Sequence, residues 1–492
     1  MKFFVAVLII AAACIVGAEG HPHADSEGHH VRTKQQWVLE RHRERAHHKM
    51  PRSADVIQAN DDTFGETACF DDHIINFLKT NNIPGGAAAV MKDGNIVYAQ
   101  GYGSRDVPGI GDDENRPAEQ CTTFRIASIS KSVTALSILR MVEADLLSLD
   151  DKVFAPGGIL DYYQDPENLY DCCPVVDNRI NDITITHLLQ HSGGWDRRIT
   201  VDYTYKSDMV VDKLGVEAPA TCEDIIYFML GEPLQHTPGT EFAYSNIGYC
   251  ILGEIIKEVT GMDYEDAVRQ YLLDPAGVSH NEMYVGATLL EDQPENESEY
   301  YEPQMVESVF PDVTEPVPRP YGGWYHEARF GQGAWVASAP QLLQMMSKTA
   351  PSQCNDDCLF SDESIDALTG KPSYTSDDAL KWYGLGFNIN NYGNWWHDGS
   401  LPGTTSIIIH QPNTGYVFAL LLNSRDFDER PSPTLWDALK CVEDDWPEEF
   451  ETTCEIPLLN HPTAAYSTST HTHTAVFMSL LLILIIQTML II

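Results

Sequence analysis

Apolar and small residues run through Gly85–Gly103 in two stretches broken at Asp93-Gly94, and this pattern predicts a β-hairpin with its turn at those two residues. Just before it, Asp71 to Lys79 has helical spacing. After residue 128 the pattern changes. Val133, Leu136, Ile138, Leu139, Met141 and Val142 are apolar on more than one face, which predicts a helix buried in the protein. Helical patterns then dominate to about residue 280. Residues 286–320 are rich in Glu and Pro and are expected to form an acidic surface loop. A strand-rich block follows: Tyr383–Ile389, Asn394–His397, Thr404–His410 and Tyr416–Leu422, with a turn at Asn413-Thr414-Gly415. Strands at both ends and helices between them predict an α+β domain. Its antiparallel sheet is built from both ends of the domain, and a helical insertion makes a second lobe.

The two ends of the chain add a location. Residues 1–18 are a short charged start and an apolar run closed by small residues, the form of a secretory signal peptide cut after Ala18, with Gly20 as second choice. Residues 19–65 are expected to be a His-rich basic pro-segment or linker; residues 21–55 hold seven histidines and the cluster Arg41-His-Arg-Glu-Arg45. The globular part is placed at 66–450, a spacer at 451–475, and a hydrophobic tail at 476–492. Small residues, a spacer and a terminal apolar tail are the layout of a glycolipid-anchor signal, with Ser467 as the attachment site. A transmembrane helix is the alternative, but the tail is short and lacks a basic flank. Either reading displays the protein at the cell surface.

Composition narrows the function. A formal net charge of −41 over 492 residues repels phosphate backbones and argues against nucleic-acid partners. Of 11 cysteines, Cys14 leaves with the signal peptide, and an even number in an oxidising compartment predicts several disulfides. Cys354 with Cys358 and Cys441 with Cys454 are expected as local loops, and Cys250 as a buried free thiol. Asn296-Glu297-Ser298 is a glycosylation sequon in the acidic loop.

The candidate chemistry begins at Ser128-Ile-Ser-Lys131. In a helix the two residues share a face. A lysine buried at the head of a buried helix loses its proton readily and can take the serine's as the hydroxyl attacks a carbonyl. Tyr244 and Asn246 lie at i and i+2. Tyr244 is expected to share a proton with Ser128 and Lys131, as a phenolate stabilised by the lysine. Asn246 is expected to hold the Lys131 ammonium and bind a substrate carbonyl. Tyr392-Gly393-Asn394 has the same spacing but lies within the strand block. In His397-Asp398-Gly399-Ser400, Gly399 allows another backbone to come close. The amides of Ser400 and Ser128 would form an oxyanion hole, and His397 would supply a polar or positive group. His187 and His191 are spaced like zinc ligands on a helix, but no glutamate follows the first. They are assigned to structure, and no metal or cofactor is expected.

Three motifs in this order, Ser128-Ile-Ser-Lys131, Tyr244-Ser-Asn246 and His397-Asp-Gly399, resemble those of the serine β-lactamase and penicillin-binding-protein superfamily. Within it they are similar to the class C-like branch of esterases, D-amino-acid peptidases and animal lactamase-like proteins. Ile185–Gly194, Pro238-Gly239-Thr240 and Tyr383-Gly-Leu-Gly-Phe387 extend the resemblance over roughly residues 70–445. It implies a β-lactamase/transpeptidase-like fold and a secreted serine hydrolase or acyl transferase. Ser128 would be acylated by a small-molecule or peptide amide or ester, Lys131 and Tyr244 would shuttle protons, Asn246 would position, and Gly399 and Ser400 would line the oxyanion strand. One departure stands out. The family's usual third motif is Lys-Thr-Gly, whose lysine and hydroxyl grip a carboxylate. Asp398 would repel one if it faced the cleft, which leaves neutral or cationic substrates, or a binding protein that reuses the cleft without turnover.

Overall fold

The computed structural model describes residues 67–442, apart from 108–109, 112–114, 166, 169, 171, 355–356, 426 and 428–429, together with Trp446 and Phe450. The stretches expected to be a signal peptide, a His-rich segment and an apolar tail, together with Ser467 and Cys454, lie outside the described residues. Among the described residues no helix is long and apolar enough to cross a membrane.

Seven strands form the main antiparallel sheet: β1 (Gly85–Lys92), β2 (Asn95–Gly103), β3 (Lys381–Tyr383), β4 (Asn388–Asn390), β5 (Trp395–Leu401), β6 (Thr404–Gln411) and β7 (Tyr416–Leu422). Their order across the sheet is β2-β1-β7-β6-β5-β4-β3, so the first and last of these strands are neighbours inside it. The expected hairpin is present. Lys92 faces Asn95, and Asp93 and Gly94 both have positive φ, 48° and 87°, the two-residue turn that matches strand twist.

The central strands read as unbroken apolar runs because both sheet faces are covered. On β7, Phe418, Leu420 and Leu422 face one way and Val417, Ala419 and Leu421 the other. The first set packs with Phe70, Ile74 and Leu78 of α1 (Ala68–Asn81) and Leu435 and Ala438 of the C-terminal helix Pro431–Val442. The second set shares a core with α2 (Ser130–Glu143), α3 (Asn246–Thr260), α4 (Ala339–Thr349) and the helices of the second lobe. Eleven of the fourteen residues of α2 are buried, which accounts for apolar residues all round it.

Three expectations are corrected here. Cys441 pairs with Cys69, not with Cys454, because the terminal helices lie side by side; 372 residues separate the two partners. Cys250 is not a free thiol but is bonded to Cys222, while Cys354–Cys358 is the expected local bridge. The stretch 286–320 is not simply a surface loop. Glu297 to Tyr300 are buried, because Glu297 bridges to Thr123 and lies 3.9 Å from the buried Arg125 guanidinium. Asn296 is therefore half-buried, with its amide nitrogen donating to the Cys121 carbonyl and its oxygen accepting from Arg105 at 3.3 Å.

Candidate active site

Ser128 sits in a 3-10 turn, Ala127–Ile129, that feeds directly into α2. The turn is held from three sides. The Ile126 N–H donates to the Trp335 carbonyl at 2.9 Å, the Ser406 hydroxyl on β6 donates to the Ile126 carbonyl at 2.7 Å, and the Trp335 N–H donates to the Ser130 hydroxyl at 3.1 Å. Ala127, just before the nucleophile candidate, has φ +48°, a left-handed conformation that costs an alanine on the order of 1 kcal/mol or more. The surrounding bonds hold this strain at the turn that presents Ser128.

Lys131 is wholly buried. Its Nζ donates to the Gln332 carbonyl at 2.8 Å and lies 3.2 Å from Ser128 Oγ. Burial holds its pKa well below the ordinary lysine range; Arg329 and Arg197 push it the same way, and Asp202 pushes it back up. Tyr244 comes from the loop before α3. Its ring centroid is 5.0 Å from Lys131 Nζ, and its hydroxyl is hydrogen-bonded to Ser128. The serine, the amine and the phenol therefore meet in one cleft. The expected phenolate does not form: burial raises the Tyr244 pKa, and the opposing effects of Ser128 and Arg197 are smaller. Burial thus favours the neutral amine at Lys131 and the protonated phenol at Tyr244.

Asn246 opens α3 but does not hold the Lys131 ammonium as expected, since that role falls to Gln332. Its amide nitrogen donates to Asp202 at 2.7 Å. Its buried Oδ1 has no hydrogen-bond partner among the described residues. Asp202 is itself fixed, accepting from the N–H and hydroxyl of Thr204 and from Arg197 at 3.4 Å. The anchored amide thus offers the cleft an acceptor.

β5 runs beside the Ser128 turn. Its neighbour β4 pairs only with Trp395 and Trp396, so the edge of β5 from His397 onward is free of β4. Gly399 is required by backbone proximity. A Cβ there would run into the Ser406 hydroxyl and the Ile126 carbonyl and lie 3.1 Å from the Ala127 Cβ. His397 is buried, and of the polar or positive group expected it supplies the polar one. Its Nδ1 faces the Asp398 carbonyl at 2.8 Å and so carries the proton, and its Nε2 accepts from the Tyr383 hydroxyl at 3.0 Å. Burial, with Lys131 second, lowers its pKa to about 3. Asp398 and Ser400 point to the opposite face of β5, into a cavity of about 650 Å³ lined also by Arg430 and Trp436. The carboxylate therefore does not face the cleft, and only the backbone of Ser400 is available to it.

Tyr392 is 70% exposed in the turn between β4 and β5 and takes no part. His187 is the capping partner of Thr184, and His191 is buried against the Tyr244 ring at 4.1 Å. The helix that carries His187 ends at Leu189, and His191 follows it at φ +55°. Sequence reasoning missed Asp202, Arg197, Arg329 and Gln332. No local spacing marks them.

A model of the Beta-lactamase family matches residues 70–440. The chain belongs to that family. "Protein flp" of Staphylococcus aureus (strain N315) is 26% identical over 356 residues, covering 70% of this chain; the match spans 61% of that relative's length. The D-amino acid amidase from Ochrobactrum anthropi SV3, solved with D-phenylalanine, superposes with a TM-score of 0.55 at 20% identity, covering 77% of this chain and 98% of that one. EstCE1, described as a hydrolase with promiscuous acyltransferase activity, gives a TM-score of 0.56 at 19% identity, covering 76% and 98%. These two share the fold, a β-lactamase/transpeptidase-like sheet flanked by helices.

Proposed function

We propose that this protein is a serine hydrolase or acyl transferase that works through an acyl-enzyme on Ser128, with an amide or ester substrate and a position at the cell surface. The observation that carries the reading is the 3.2 Å approach of Ser128 Oγ to the buried Lys131 amine. Neutral Lys131 takes the hydroxyl proton while Oγ bonds to the acyl carbon. The oxyanion is placed between the turn at Ser128 and the free edge of β5 at Gly399 and Ser400. As the carbon–nitrogen or carbon–oxygen bond breaks, the leaving group takes a proton from the Tyr244 hydroxyl, and Lys131 returns one to Tyr244. Water or a second acceptor then releases the acyl group by the same steps in reverse. Asn246 Oδ1 is suited to accept a hydrogen bond from a substrate N–H.

The non-catalytic binding reading rests on Asp398 and on the heavy acidity of the chain. With that carboxylate on the other face of β5, only the acidity still favours it. A fluorophosphonate probe tests the proposal: it labels the wild type, intact mass places the adduct on Ser128, and Ser128→Ala is spared. Equal labelling of both proteins overturns it.

A further inference from the structure

Among the described residues, seven cysteines are disulfide-bonded: Cys69, Cys121, Cys222, Cys250, Cys354, Cys358 and Cys441. The remaining two are adjacent, Cys172 and Cys173. Their sulfurs lie 3.0 Å apart, about 1 Å longer than a disulfide bond of about 2.05 Å. The backbone sets this approach. The Cys173 N–H donates to the Tyr170 carbonyl at 2.9 Å, which closes a turn, and Tyr170 packs edge-on to Tyr227 with ring centroids 5.5 Å apart. On the other side the Val176 N–H reaches the Leu230 carbonyl at 3.3 Å, so the segment is pinned to the end of helix Cys222–Leu230. Gly231, next along, is packed so tightly on Cys173 that a Cβ there would sit 3.0 Å from the cysteine's own. The two thiols differ in access: Cys172 is exposed and Cys173 is buried.

We propose that Cys172 and Cys173 form a thiol–disulfide exchange site, closing to a vicinal disulfide that is the first of the chain's disulfides to open under reduction. The oxidant is a low-molecular-weight disulfide such as oxidised glutathione. The exposed Cys172 thiolate attacks one of its sulfurs and forms a mixed disulfide, and one small thiolate leaves. Cys173 then gives its proton to solvent and attacks the Cys172 sulfur. The new bond joins the two protein sulfurs, and the second small thiolate departs. Two protein thiols are oxidised and one small disulfide is reduced to two thiols.

Ease of reopening follows from geometry. Adjacent residues joined by a trans peptide have Cα atoms about 3.8 Å apart, whereas disulfides usually span about 4.4–6.8 Å. The vicinal ring therefore carries strain, and a strained bond with one exposed sulfur has a more oxidising potential than an unstrained buried one. The Cys222–Cys250 bridge on the same helix, between Cα atoms 5.9 Å apart, is the internal reference. Burial and the Cys172 contact raise the Cys173 pKa to about 12, which makes Cys172 the sulfur that meets external reagents.

The test uses the purified full chain after equilibration with oxidised glutathione. The protein is denatured without reductant, alkylated and mapped by peptide mass. The expected result is a peptide with Cys172 and Cys173 unalkylated and lighter by the two hydrogens lost. Across a graded series of reduced-to-oxidised dithiothreitol ratios, this pair takes up two alkyl groups at a lower ratio than any other cysteine. A Cys173→Ala variant is expected to keep the other bridges and to show one alkylatable thiol at Cys172. Double alkylation of the oxidised wild type overturns the proposal. So does Cys172 linked to another cysteine or another chain, or a pair that opens only together with or after Cys222–Cys250.

Discussion

The two faces of β5 differ more than any two distant parts of the molecule. On one face His397 and Gly399 lie against the Ser128 turn, buried and with no room for an added atom. On the other, Asp398 and Ser400 are exposed at the edge of a roomy cavity beside Arg430. Residues one apart along the strand thus live in different chemical worlds, because a strand turns successive side chains to opposite sides. A carboxylate adjacent in sequence to a catalytic motif need not act on the substrate, and the alternation decides which does.

The comparison can be broken most directly at its buried face. Ser128→Ala is expected to lower kcat/KM by at least about a thousandfold while the thermal midpoint stays near the wild-type value; a variant that keeps a tenth of the activity removes the nucleophile from Ser128. Gly399→Ala comes next. With no space for a Cβ, the substitution pushes β5 from the Ser128 turn, destabilises the fold by about 1–3 kcal/mol and slows fluorophosphonate labelling by tenfold or more, by about the same energy. Denaturant unfolding and labelling rates read the two effects separately.

Two charge changes test the cleft through its pH profile. The proposed mechanism needs neutral Lys131, so kcat/KM is expected to fall as pH drops through that amine's pKa. Asp202 raises this pKa and Arg329 lowers it. Asp202→Asn therefore moves the acid limb to lower pH and Arg329→Gln moves it to higher pH. If both limbs stay where the wild type's is, Lys131 is not the titrating base. The smallest effect belongs to the outer face. Asp398→Asn is expected to change kcat/KM by less than about twofold, for anionic and neutral substrates alike, as an exposed charge outside the cleft should. A selective gain for carboxylate substrates would put Asp398 back in the cleft.

Legibility in the sequence followed the range of the interaction. The hairpin at Asp93-Gly94 and the apolar runs of β6 and β7 are local patterns and were visible as such. So were Ser128 and Lys131, one helical turn apart, and the three-motif order that brought in Tyr244, Asn246 and Gly399. What escaped notice depends on contacts between segments far apart in the chain. Asp202 reaches Asn246 across 44 residues, Gln332 reaches Lys131 across 201, and Cys69 finds Cys441 across 372. The charge states escaped too. The sequence leaves His397 either polar or positive and makes Tyr244 a phenolate because type and spacing carry no record of burial, and burial disfavours the charged form of both.

The central pairing of β1 with β7 has a consequence for synthesis. Gly86 pairs with Leu422 at the end of β7, and β5, beside the Ser128 turn, is linked to β1 through β6 and that same strand. A ribosome that stalls before these last strands releases a chain whose first hairpin has one edge open and whose nucleophile turn lacks the Ser406 hydroxyl that holds it. The surroundings of Ser128 are thus complete only once the last strands of the sheet have been made.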